Sequence, residues 1–216
     1  GKEKLASFAL KILHPVFEKL GWEKLPNEKH TDILLRSMVL GSLGNFGDTD
    51  IIAEALKKFC AISSSGIDID PDLKTAIYSL AAKYGGQSNF DRLLALYDAT
   101  NDAREKERIQ AAIGGFKTAP MIKKVIEFST SEKVRKQDWF RIMVTLGYNP
   151  KARLIAWNFL KENWEDFHKK YDGDLSLLIR TLKEAKRTMK QVVETIETNI
   201  KWKKREIEEI KTWLSE

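Results

Sequence analysis

Few residues in this chain have the type and spacing that chemistry needs. A zinc hydrolase places two histidines one helical turn apart, with a carboxylate base between them. The three histidines here are His14, His30 and His168, all far apart in sequence. His14 precedes Pro15 inside an amphipathic stretch and reads as a turn or surface residue. Cys60 is the only cysteine, so no internal disulfide forms. Its context "LKKFCAI" predicts a buried thiol, and a reduced, cytoplasmic compartment follows as the default. The pairs Gly85-Gly86 and Gly114-Gly115 end helices and do not open a phosphate-binding loop. "GSLGNFGD" follows a helix, not a strand, which argues against a dinucleotide site. No catalytic and no metal-binding residue is assigned, and the chain is expected to carry no cofactor of its own.

The elements that would position any site are helical. The 216 residues are 43% hydrophobic, enough for a core, and no apolar run reaches the ~20 residues of a membrane span. The amino end lacks a signal-peptide cleavage site. In "HTDILLRSMVLGSLGNFGD", Ile33, Leu34, Met38 and Leu40 recur at helical spacing, and no stretch alternates like a strand. Gly47 closes one helix and Asp48 caps the next, while Asp70 caps a helix with Pro71 at its first position. Ser88 or Asn89 is a further expected cap. The pattern predicts helices at 3–20, 29–45, 49–62, 71–83, 89–99, 102–114, 118–128, 136–146, 151–161, 162–171, 174–182 and 184–214.

Short helices joined by tight turns pack as antiparallel pairs. A series of them predicts an all-α fold, an α-solenoid of HEAT or armadillo type ending in a long helix. That last helix carries Ile200, Trp202 and Trp213 toward a core. The formal charge of +6 is spread over 37 basic and 31 acidic residues. From Lys183 to Glu216 nine bases meet seven acids, a solvated mixed face that argues against nucleic acid.

"RLIAWNFLKENWEDF" concentrates Trp157, Phe159, Trp164 and Phe167 in one stretch. Both tryptophans are expected to be structural. "IAWNFLKENWEDFHKKY" resembles a segment in the C-terminal helical domain of zinc aminopeptidases of the puromycin-sensitive, endoplasmic-reticulum and tricorn-interacting-factor type. "FEKLGWE", "GNFGDTDIIAEALKKF", "IDPDLKTAIYSLAAKYGG", "VRKQDWFRIMVTLGYNP" and "ETIETNIKWKKREIEEIKTWL" resemble further elements of that domain, in the family's order. The resemblance implies one domain over 1–216, truncated at its start. It lacks about two helices near 182–183, where "DLSLLIRTL" runs almost directly into the last helix. It implies zinc only in the parent enzyme, whose catalytic domain would be this chain's partner. A peptide would be the substrate, with no nucleic acid and no membrane as partner. The chain alone would be inactive and would cap the active site, accommodating the distal part of the peptide. A free-standing scaffold for protein partners is the alternative. A peptide's terminal carboxylate needs a cation, and Lys117 in the "GGFKT" turn and Arg135 in "VRKQD" are candidates. Arg135 faces either a peptide or Asp138, and Tyr148, in a turn, is a third candidate contact.

Overall fold

The computed structural model describes residues 2–65, 69–163 and 165–167. Among them every regular element is an α-helix: α1 (Lys2–Leu20), α2 (His30–Asn45), α3 (Thr49–Ser65), α4 (Pro71–Tyr84), α5 (Gln87–Ala99), α6 (Ala103–Ile113), α7 (Ala119–Thr130), α8 (Lys136–Tyr148) and α9 (Arg153–Glu162). The expected helices at 174–182 and 184–214 lie outside the described residues, as do His168, Trp164, Ile200, Trp202 and Trp213. The chain divides into two compact units, Gly1–Phe159 and Leu160–Glu216. In the second, Leu160 and Phe167 are buried. There the Phe167 amide donates to the Asn163 carbonyl at 3.1 Å.

In the first unit, local chemistry starts and stops the helices. The Asp48 carboxylate accepts the amides of Asp50 and Ile51 at 3.1 and 3.0 Å, after a turn in which Gly47 takes a φ of +95°. Asp70 accepts the Asp72 amide ahead of Pro71, and Asp102 accepts the Arg104 amide. One expectation fails. Neither Ser88 nor Asn89 caps α5, because the helix starts at Gln87 behind Gly86. Asn89 instead donates its amide to the Ala81 carbonyl at 3.0 Å, satisfying one of the open carbonyls at the end of α4.

Helices α2, α4, α6 and α8 pack in succession, and α1, α3, α5 and α7 each lie against the even helix that follows. Tyr84, at the end of α4, bonds to Gly44, at the end of α2, and Asn149, just past α8, bonds to the turn after α6. The even helices of each pair therefore run the same way, and the odd helices return between them. This is the helical-repeat packing that the series of short capped helices predicts. Gly44 permits the α2–α4 approach: a Cβ there would fall 2.5 Å from Leu80 Cδ2. Edge-to-face rings pair the layers, Phe59 with Tyr78 at 5.9 Å and Phe90 with Phe116 at 5.7 Å. The buried Arg36 donates from Nε and Nη2 to the Leu20 carbonyl, at 3.2 and 3.1 Å, and pairs with Glu28, which ties α2 to the end of α1.

One side-chain expectation changes. Cys60 is exposed, not buried. On α3 the buried face is Ile51, Ala55 and Phe59, and the next residue turns about 100° away from it. On α2, Ile33 and Leu40 are buried, but Leu34 and Met38 are 49% and 68% exposed. This helix is apolar around most of its circumference, so spacing alone does not identify its core face. Trp157 is half-buried. Among the described residues the fully enclosed tryptophan is Trp139, at 0% exposure.

Candidate functional site

The ends of the even helices form a rim, and their open carbonyls draw polar side chains from one helix to the next. At the end of α4, the Tyr84 hydroxyl donates to the Gly44 carbonyl at 2.7 Å. Lys83 Nζ donates to the Asn45 carbonyl at 3.1 Å and to Asn45 Oδ1 at 2.6 Å. The turn after α6 then brings Lys117 to the same place. Its neighbour Phe116 is 1% exposed and anchors the turn in the core, while Lys117 itself is exposed. Lys117 Nζ stands 4.2 Å from the centre of the Tyr84 ring, and Lys83 Nζ stands 5.5 Å from that centre.

The Lys117 turn is fixed from α8. Asn149 Nδ2 donates to the carbonyls of Gly114 and Phe116, at 2.8 and 2.7 Å. Gly114 has to be glycine at this approach, because a Cβ would fall 2.0 Å from Thr145 Oγ1. Tyr148, beside Asn149, is 69% exposed. Tyr148, expected in a turn, is instead the last residue of α8, and Asn149 just past it joins that helix end to the Lys117 turn.

Arg135 is placed differently. It precedes the first residue of α8, at the opposite end from Tyr148. Its Nε donates to Asp138 Oδ2 at 2.6 Å, and Asp138 is 2% exposed. That bond, with the charge of the carboxylate, raises the basicity of the guanidinium above its ordinary value. Of the two partners weighed for Arg135, the structure places it on Asp138.

The lysines at the rim have no such acid. Among the described residues no carboxylate pairs with Lys83 or Lys117. Partial burial lowers the pKa of both, and for Lys83 the positive charge of Lys117 lowers it further. Burial also raises the pKa of the Tyr84 phenol. Two cations that repel one another around an aromatic ring favour an anion between them. The nearby ends of α2 and α4 oppose this with roughly half a negative charge each, less than the two positive charges together.

Lys83, Tyr84 and Asn149 are not evident as site residues from sequence. Each sits at or just past a helix end, where "AAKYGG" and "GYNP" signal a stop and nothing more. Among the described residues no three of His, Cys, Asp and Glu lie close enough together to hold a metal ion. His14 Nε2 lies 2.7 Å from Asp48 Oδ2, a contact between α1 and the cap of α3. No described helix is long and apolar enough to cross a membrane.

The family model for the ERAP1-like C-terminal domain matches residues 1–216. The chain is 26% identical to aminopeptidase M1-A of Oryza sativa subsp. japonica over 230 residues, covering 94% of this chain and 26% of the relative. It is 27% identical to aminopeptidase M1 of Arabidopsis thaliana over 213 residues, covering 85% and 24%. Against endoplasmic reticulum aminopeptidase 2 of Bos taurus it is 28% identical over 241 residues, covering 98% and 25%. The chain therefore spans about a quarter of the length of these relatives.

Proposed function

Since the chain belongs to the ERAP1-like C-terminal domain family, we propose that it is the C-terminal helical part of a zinc-dependent aminopeptidase, and that its rim receives the carboxylate end of the peptide. The first residue of that peptide is removed in the catalytic part of the parent. The described residues of this chain offer no metal cradle. In this reading its own contribution is to cap the active site and hold the distal end of the substrate. A cytoplasmic parent, with the catalytic domain of the same polypeptide as partner, completes the reading.

One observation carries it. Lys83 and Lys117 converge on the Tyr84 ring, and no acid pairs with either among the described residues. Arg135 and Lys133 differ in this, each matched with an acid, Asp138 and Asp98. The rim is also preorganised, because Phe116 is buried and Asn149 holds the turn, so little order has to be imposed when an anion binds. In this proposal Lys117 is the principal contact and Lys83 supports it. Tyr148 flanks the peptide from the end of α8. Arg135 is the secondary candidate, with a side chain that is 57% exposed beyond its bond to Asp138.

The test is a comparison of substrates in the full-length parent. An exposed ion contact contributes up to about 1 kcal/mol, which is about fivefold in affinity. Lys117→Ala is expected to lower kcat/KM several-fold for a peptide with a free carboxylate. It should leave the amidated peptide and a one-residue chromogenic amide nearly unchanged. Remote binding energy is also used at the reacting bond, so kcat for the free peptide is expected to fall as well. Equal losses on all three substrates would mean that Lys117 acts through folding or closure, and would end the carboxylate reading.

A further inference from the structure

The outer face of α2 is apolar, and it leads to the rim. Ile33, Leu40 and Leu43 are buried on one side of the helix, while Leu34 and Met38 stand out on the other, 49% and 68% exposed. Leu34, Met38, Gly41 and Asn45 fall at i, i+4, i+7 and i+11, which is one face. Between Met38 and Asn45 this face carries Gly41 and Ser42, so no large side chain separates the apolar pair from the helix end. Asn45 is exposed, and its Oδ1 accepts from Lys83 Nζ at 2.6 Å. Lys83 shares the Tyr84 ring with Lys117. The stripe therefore ends at the two lysines that no acid matches among the described residues.

The spacing along the stripe has a consequence. A helix rises ~1.5 Å per residue, so along the axis Met38 lies about 10 Å and Leu34 about 16 Å from Asn45. An extended peptide advances ~3.3 Å per residue. A peptide whose last residue sits at Asn45 passes Met38 with about its third residue before the last, and Leu34 with about its fifth. Side chains two apart in an extended chain share a face and stand ~6.6 Å apart, close to the ~6 Å rise from Leu34 to Met38. Helix and extended peptide match in step.

We infer that this stripe is a side-chain subsite for the peptide, selecting apolar residues at the third and fifth positions before the last, with Met38 receiving the former and Leu34 the latter. The inference rests on the reading of the rim as the carboxylate site, because the lysines set the register. An apolar partner of another kind would suit Leu34 and Met38 alone. The measured approach from them to a cation pair suits an extended chain that ends in an anion.

Kinetics of the full-length parent test it, with peptides of about ten residues that share one first residue and a serine body. Leucines stand third and fifth before the last, or second and fourth, or are absent, and each peptide is made as free acid and as amide. The free acid with leucines third and fifth is expected to exceed the all-serine body about fivefold in kcat/KM, as partial burial of two leucines allows. The second-and-fourth peptide turns its leucines to the opposite side and should gain little. Met38→Ser combined with Leu34→Ser alters exposed side chains only, and should remove the gain at an unchanged melting temperature. The inference is overturned if both registers gain alike, if the amides gain as the acids do, or if the double variant keeps the gain. It is also overturned if the double variant lowers the melting temperature of the parent or dissociates a dimer of it, which would give the stripe to another part of the parent or to a second copy. Lys117→Ala separates the two readings. If it lowers kcat/KM for the all-serine acid and spares the amide, while no leucine register appears in the unaltered parent, the rim stands and the stripe alone is refuted.

Discussion

The two ends of α8 treat positive charge in opposite ways. At its start, Arg135 meets the buried carboxylate of Asp138 at 2.6 Å. At its finish, Asn149 holds a turn from which Lys117 projects with no acid opposite among the described residues. In sequence the two cations look alike, since each flanks a helix boundary. The structure separates them by what is buried nearby. A cation beside a buried acid keeps that acid satisfied, and losing it exposes the fold to an unpaired charge. A cation beside another cation and an aromatic ring gives the fold little and offers an incoming anion much. The lesson is that a candidate contact is best judged by whether its charge is already matched.

The largest expected effect breaks the matched end. Asp138→Ala removes a buried acceptor close to the start of α8, where a negative charge also favours the helix. We expect a loss of about 2 kcal/mol in urea unfolding, the cost of a bond to a charged group. Kinetic constants of the folded parent should not change. A raised KM for peptides at unchanged stability would make the Arg135 end a binding site and erase the contrast. Asn149→Ala comes next. It leaves the carbonyls of Gly114 and Phe116 without their Nδ2 donor, at about 1–2 kcal/mol. Unlike the first variant, it should also weaken capture of free-carboxylate peptides, because the Lys117 turn loses its anchor. Loss of stability with capture intact would show that the turn holds its position without Asn149.

How much of this could be read from the sequence depends on the range of the interaction. Asp48 and Asp70 act within three residues of themselves, so "GDTDI" and "DPD" announce their caps. Helix boundaries follow for the same reason, and "GGFKT" already places Lys117 in a turn. Lys83 acquires meaning only when α2 and α6 arrive, since its partners are Asn45 and the Tyr84 ring beside Lys117. Asn149 reaches carbonyls 33 and 35 residues back, which no local pattern encodes. Cys60 fails for a different reason. Apolar neighbours in sequence do not share a face on a helix, so its context "KFCAI" says little about its burial.

The smallest effect is the one that best separates a lysine site from an arginine site. Lys83 and Lys117 hold their protons less tightly than the ordinary value of 10.5. Only the charged forms attract a carboxylate. Binding of a free-carboxylate peptide at the rim should therefore weaken as pH rises toward the ordinary lysine value of 10.5, through the lowered values of both lysines. Fold stability should respond with the opposite sign. In that window the unfolded chain still binds protons that the folded lysines have released, so their contribution becomes more favourable as pH rises. A bound carboxylate favours protonation and shifts the weakening to higher pH. Arg135, charged throughout and held more basic still by Asp138, predicts an affinity that stays flat over the same range. Measuring peptide affinity and the urea midpoint together at each pH distinguishes the two. Affinity that falls while the midpoint rises marks the lysine rim. Flat affinity would move the carboxylate contact to the Arg135 end of α8.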